Sequence, residues 1–123
     1  MKLRCLIVDD SSSFLEAAQV MLEREGLRVV GVASSGSEAL RLAGKSRPDV
    51  VLVDISLGKE SGFEVARRLV GEAEDGGSKV ILISTHSEAD FADLIATSPA
   101  IGFLPKSDLS ADAIRRMLNG SSR

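Results

Sequence analysis

Four groups of polar residues in this sequence each stand just past a short apolar run. Asp9-Asp10 follow Leu6-Ile7-Val8, Asp54 follows Val50–Val53, Ser84-Thr85 follow Val80–Ile83, and Lys106 follows Ile101–Leu104 across Pro105. If those runs are parallel strands, their carboxyl ends open on one edge of a sheet. Three carboxylates, a hydroxyl and an ammonium then meet there, although nearly a hundred positions separate the first from the last. Carboxylates gathered so closely repel and raise one another's pKa unless a cation intervenes. A hard divalent ion with oxygen ligands is the physical remedy, and Mg2+ (or Mn2+) suits a site that keeps water and awaits a phosphate. One carboxylate can then act as a nucleophile towards phosphorus and give an aspartyl phosphate. Lys106 supplies a fixed cation for the developing charge, and Ser84 and backbone N–H groups such as that of Thr85 supply hydrogen-bond donors. Taken singly, an Asp after a strand is an ordinary turn or cap residue, and a Lys there an ordinary surface one. The joint pattern at four strand ends carries the reading.

Those residues need a scaffold, and the rest of the chain describes one. The four runs, together with Val29–Ala33, are rich in β-branched residues and continuous rather than alternating, as strands read when both faces of a parallel sheet are covered. Helical spacing fills the intervals. Phe14, Ala17, Ala18, Met21 and Leu22 predict one buried face of a first helix, closed at Gly26. Ser37–Leu42 predicts a second, stopped near Arg47-Pro48, and 62–73 a third with Phe63, Ala66, Leu69 and Val70 on one stripe. A fourth, short helix starts from Ser87 as N-cap with Asp90 three residues on, carries Phe91, Leu94 and Ile95, and is cut off by Thr97-Ser98-Pro99. Ser110 caps a fifth, with Ala113, Ile114, Met117 and Leu118 inward. Strict βα alternation predicts an α/β, flavodoxin-like (βα)5 domain: a doubly wound, five-stranded parallel sheet in the order 2-1-3-4-5. Pro105 fits the edge position of the fifth strand. Residues 74–78 read as a turn-rich loop and the last five as frayed, which leaves an ordered part of about 2–118.

Composition narrows the classes. The chain has 123 residues, 44% of them hydrophobic and 27% charged, which suits one globular domain, 1–123. A net charge of −3 argues against direct nucleic-acid binding, and the pairs Arg67-Arg68 and Arg115-Arg116 read as solvated helix faces. Cys5 is the single cysteine and His86 the single histidine, so neither a disulfide nor a zinc site is expected and a cytoplasmic setting follows. Cys5 reads as core, His86 as a loop residue. No apolar stretch is long enough for a membrane span, and no signal peptide is evident.

Across essentially its whole length the chain resembles the receiver domain of bacterial two-component response regulators. The matching pieces are Leu6-Ile7-Val8-Asp9-Asp10, Val51-Leu52-Val53-Asp54, Gly62 eight residues after Asp54, Ile81-Leu82-Ile83-Ser84, and Gly102-Phe103-Leu104-Pro105-Lys106. The resemblance implies that Asp54 is the phosphoacceptor. Asp10 and Asp54 would ligate Mg2+ directly with the backbone carbonyl of Ser56, and Asp9 through water. Lys106 would pair with a phosphoryl oxygen, Ser84 would be the switch hydroxyl, and Phe103 the switch aromatic that turns inward as Ser84 moves. The donor would be a sensor histidine kinase or phosphotransfer protein. The surface of the fourth helix, fifth strand and fifth helix would then change for an output protein or a phosphorylation-dependent homodimer. As an enzyme the chain would show at most slow self-phosphorylation and self-dephosphorylation. No effector domain is expected within these 123 residues, since few of them follow the predicted fifth helix. Three positions depart from the family pattern. Gly58 stands where Pro is frequent and predicts a looser loop. Pro105 precedes Lys106 instead of following it. Phe103 replaces the frequent Tyr.

Three rivals remain distinguishable. A haloacid-dehalogenase-type phosphohydrolase wants a second Asp two residues after the nucleophile, where this chain has Ser56. A flavodoxin-like electron carrier would seat FMN phosphate at Ser11-Ser12-Ser13, but Asp9 and Asp10 would repel it and the chain has no Trp or Tyr to stack a flavin. A pseudo-receiver would keep the fold and bind partners without phosphorylation.

Overall fold

The computed structural model describes residues 2–71 and 78–120. Five parallel strands form one sheet: β1 (Arg4–Val8), β2 (Arg28–Ala33), β3 (Val50–Asp54), β4 (Lys79–Ser84) and β5 (Gly102–Pro105). Their order is β2-β1-β3-β4-β5, the doubly wound arrangement expected, with Pro105 at the end of an edge strand, where a missing N–H is best tolerated. Helices α1 (Ser12–Arg24), α2 (Gly36–Ser46), α3 (Gly62–Gly71) and α4 (Ala92–Thr97) connect the strands, and α5 (Ala111–Gly120) follows the last of them. A two-stranded antiparallel ribbon, Ser56–Leu57 with Glu60–Ser61, lies between β3 and α3.

The sheet separates two apolar layers. Cys5, Ile7, Leu52, Ile81 and Ile83 point to one side, where Leu15, Ala18 and Leu22 of α1 and Ile114 of α5 cover them. Leu6, Val8, Val51, Val53 and Leu82 point to the other, under Ala39 of α2 and Phe63, Ala66 and Leu69 of α3. Strand residues alternate between layers, and both layers are apolar, which is why the runs read as continuous. Each fully buried Leu or Ile contributes roughly 1.5–3 kcal/mol of burial free energy.

Several local expectations are corrected. In α1 the buried face is Leu15, Ala18 and Leu22, while Ala17 is exposed and Phe14 and Met21 flank the stripe. The cause is rotational: Ser11 is the N-cap, its side chain accepting from Phe14 N, and that start aims Leu15 at the sheet. Gly26 does adopt the left-handed conformation, φ 97°, just past the helix. Ser87 makes no side-chain cap; a 3-10 turn, Glu88–Phe91, comes first, and α4 begins only at Ala92. Ile101 stays outside β5, although its N–H bonds Val80 O at 2.8 Å. Asn119 and Gly120 belong to α5 rather than to a frayed tail. The expected continuation of the third helix to position 73, the loop at 74–77 and the end at 121–123 lie outside the described residues.

Two long-range contacts tie helix ends. Glu25, the last residue of the α1 turn, accepts from Ala111 N at the start of α5 through Oε1 at 2.7 Å, and its backbone carbonyl accepts from Arg115 Nη2 at 3.1 Å. Glu60 of the ribbon accepts from Gly36 N at the start of α2 through Oε1 at 2.9 Å. In both pairs a carboxylate meets a helix N-terminus, where free amides and the helix dipole favour negative charge.

Candidate functional site at the carboxyl edge of the sheet

β1 and β3 are direct neighbours, with Val8 beside Val53, so the residues that follow them are side by side. Oxygens of Asp9, Asp10 and Asp54 all lie within 4.8 Å of one another. Asp9 is completely buried, Asp54 is 7% exposed and Asp10 is on the surface. Lys106 reaches in from the far end of β5: its Nζ is 2.6 Å from Asp9 Oδ2 and 3.1 Å from Asp54 Oδ2. The inverted order of Pro105 and Lys106 does not keep the ammonium away. No cis peptide occurs among the described residues, and Lys106 opens a short 3-10 turn directly after Pro105.

Asp9 and Asp54 are also held by backbone. Asp9 Oδ1 accepts from Ser11 N at 2.8 Å, and Asp54 Oδ1 accepts from Ser56 N at 3.1 Å. Burial pushes the Asp54 carboxyl above the usual range; the Ser56 amide pulls it down, the nearby Asp9 charge pushes it up, and Lys106 pulls it down, the net being upward. For Lys106 burial works against the charge, but the nearby carboxylates of Asp9 and Asp54 outweigh this and lift it above the ordinary lysine value.

The segment after Asp54 explains two glycines. Gly58 has φ 61° and is the first central residue of the two-residue turn joining the ribbon strands. Proline's fixed negative φ is incompatible with that conformation, and a tight hairpin replaces the looser loop expected. A Cβ on Gly62 would lie 1.9 Å from the Asp54 carbonyl oxygen, so α3 starts against the backbone of Asp54 and only glycine fits.

Ser84 is 3% exposed, pairs in register with Pro105, and accepts from His86 N through Oγ at 3.0 Å. His86 stands edge-on to Phe91, with ring centres 5.9 Å apart, and Phe91 in turn is 6.2 Å from Phe63. Phe103 pairs with Leu82 and is already turned inward, 7% exposed, in the layer beneath α3. Thr85 is exposed just beyond β4. The structure therefore brings Asp9, Asp10, Asp54 and Lys106 together, with Ser56 bonded to Asp54. It sets Ser84 at the adjacent strand end and Phe103 two strand positions before Pro105. Sequence reasoning missed Phe14, whose ring centre is 4.3 Å from Lys106 Nζ; three residues past the Ser11 cap, it read only as core.

The residues fit a hard divalent cation. Asp9 Oδ2 is fully buried and makes no aligned hydrogen bond, although Lys106 Nζ approaches it closely. A single ammonium faces two of three clustered carboxylates, and an oxygen-only donor set of this kind suits Mg2+.

Fold and site together define a doubly wound domain with an acidic pocket at its switch point. The family described as response regulator receiver domain matches residues 5–119, and the chain belongs to it. It is similar to the response regulator GacA of Pseudomonas aeruginosa, 32% identical over 122 residues that cover 96% of this chain and 56% of that protein. Among solved structures, the signal receiver domain of a modulated diguanylate cyclase from Desulfovibrio desulfuricans G20 superposes with a TM-score of 0.80 at 30% identity, covering 98% of this chain and 94% of that one. A response regulator from Burkholderia pseudomallei, solved with a phosphorylated aspartic acid, calcium ion and citrate, gives 0.81 at 25% identity, covering 98% and 69%. The chain spans about half the length of most of the curated relatives it matches. It is a receiver domain of two-component signalling. Among the described residues, no helix is long and apolar enough to cross a membrane.

Proposed function

We propose that this receiver accepts a phosphoryl group on Asp54 from a phosphohistidine of a sensor kinase or phosphotransfer protein, with Mg2+ in the acidic pocket. The observation that carries the reading is the meeting of Asp9, Asp10 and Asp54 within 4.8 Å, with Lys106 Nζ 3.1 Å from Asp54. Asp9, Asp10, Asp54 and the Ser56 carbonyl would hold the ion, Asp9 through water; bound there, it supplies charge neutralisation for the phosphoryl oxygens. A carboxylate oxygen of Asp54 attacks phosphorus, the new O–P bond forms as the P–N bond breaks, and the departing imidazole nitrogen keeps the electron pair and takes a proton from solvent. Lys106 stabilises charge on the transferring group, joined by Ser84 Oγ and the Thr85 amide. The similar response regulator from Burkholderia pseudomallei, solved with a phosphorylated aspartic acid and a calcium ion, supports the same assignment here.

The switch follows from what Ser84 must give up. Its Oγ is engaged by His86 N, and turning to a phosphoryl oxygen breaks that bond. His86 leans on Phe91, which precedes α4. Because Phe103 is inward already, the departure of Ser84 loosens the His86–Phe91 segment and α4 rather than first requiring the aromatic to rotate. The α4, β5 and α5 surface is then the output face, for a partner protein or a second copy. Slow loss of the phosphoryl group to water is expected, since Ser56 and Thr85 beside the acceptor are small and exposed.

Intact-mass analysis after incubation with Mg2+ and acetyl phosphate tests the reading. One phosphoryl adduct should appear, and should be absent from Asp54→Asn; an adduct that persists in that variant, or none in the native chain, overturns it.

A further inference from the structure

Lys106 reaches Asp54 on a long flexible stem, and nothing covalent aims its ammonium. Two carboxylates compete for it. Asp9 is the nearer, at 2.6 Å against 3.1 Å for Asp54, and is the more deeply buried. On another side stands the face of Phe14, its centre 4.3 Å from Nζ, well inside the range in which an aromatic quadrupole attracts a cation. The attraction is strongest where water is kept out, and the Lys106 side chain is only 15% exposed.

The ring is itself fixed by the site. Asp9 Oδ1 accepts from Ser11 N at 2.8 Å, and Ser11 Oγ accepts from Phe14 N at 3.3 Å. The same Asp9 carboxylate that meets the ammonium therefore sets the first turn of α1 and the place of the aromatic face. Asp9, Ser11, Phe14 and Lys106 close a circuit beside the acceptor. A leucine at position 14 would fill similar volume but offer no negative π face.

We propose that Phe14 is a positioning residue for Lys106: its ring face holds the ammonium in reach of Asp54 and of the group transferred to it. The kinetic part of this inference rests on phosphoryl acceptance at Asp54; the placement of Lys106 does not.

The experiment uses the full chain with Phe14 replaced by 4-fluoro- and 3,4,5-trifluorophenylalanine, which keep the ring but progressively weaken its negative face, and by Phe14→Leu. Two readouts are taken. Without any phosphodonor, lysine-selective NMR should show the Lys106 ε-methylene and Nζ signals displaced upfield by the ring, with the displacement shrinking along the fluorine series. With Mg2+ and acetyl phosphate, the rate of adduct formation should fall stepwise, by about five-fold for the trifluoro ring, roughly half the free energy of one desolvated cation–π contact. Lys106 signals without upfield displacement in the native chain, or rates identical across the series, overturn the proposal. If the native chain forms no adduct while the NMR series behaves as expected, the Asp54 reading fails and the placement of Lys106 by Phe14 stands. If Phe14→Leu does not fold, the fluorinated chains decide.

Discussion

At the scale of single residues, the acidic pocket is a compromise between chemistry and stability. Lys106 is the only ammonium within ion-pair distance of Asp9 and Asp54 among the described residues. Lys106→Met therefore leaves two buried carboxylates facing each other, and breaking such a pair costs about 3 kcal/mol. Chemical denaturation of the metal-free variant should show that loss, and added Mg2+ should recover part of it. Asp54→Asn acts in the opposite direction. The carboxyl pKa is raised in the fold, so its contribution to stability is fully present below the unfolded value of 3.8 and is lost as pH rises through the folded value. Without metal, the melting temperature of Asp54→Asn should match that of the native chain near pH 4 and exceed it at pH 7. Equal melting curves at both pH values would contradict the sign. These residues were legible in the sequence because they sit at strand ends, where topology alone brings them together. Phe14 was not, because helical spacing marks a residue as inward without saying what it meets.

At the scale of elements, the ribbon after β3 is the part that periodicity could not show. Each of its strands is two residues long, too short for an alternating pattern, and Gly58 alone hinted at a turn. It nonetheless connects the pocket to two helices, through Gly62 at the start of α3 and through Glu60 at the start of α2. Gly62→Ala forces a methyl into the Asp54 carbonyl and should destabilise the chain by about 3 kcal/mol, at the upper end for overpacking. It should also slow adduct formation, because the acceptor's backbone must move; a variant as stable and as fast as the native chain would show that α3 can retreat freely. α4 was misjudged for a related reason. Its residues include none that is fully buried, so its boundaries follow local hydrogen bonding, and Phe91 in the 3-10 turn before Ala92 reads from sequence as part of the same helix. An element so lightly anchored is suited to the shift that the proposed change of partner at Ser84 would require.

At the scale of the molecule, two apolar layers on a shared sheet were readable from five β-branched runs, and the strand order followed from strict alternation. Cys5 belongs to the deeper of these constraints: it is wholly buried in the interior strand β1, and burial pushes its thiol up to about 12. Its reaction with a disulfide reagent at pH 8 should therefore track global unfolding and be negligible in native buffer; rapid labelling would mean that the sheet opens locally. What the chain's alternation does not reveal is how its first and last helices are finished. Glu25 stands 86 positions before the Ala111 amide it accepts from, and Arg115 reaches back to the Glu25 carbonyl. A contact of that span must offset the entropy of closing most of the chain into a loop. Until α5 docks, α1 keeps its final carbonyl open to solvent, so the helix that carries Phe14 to the pocket reaches its finished form only when the last segment of the domain has come home.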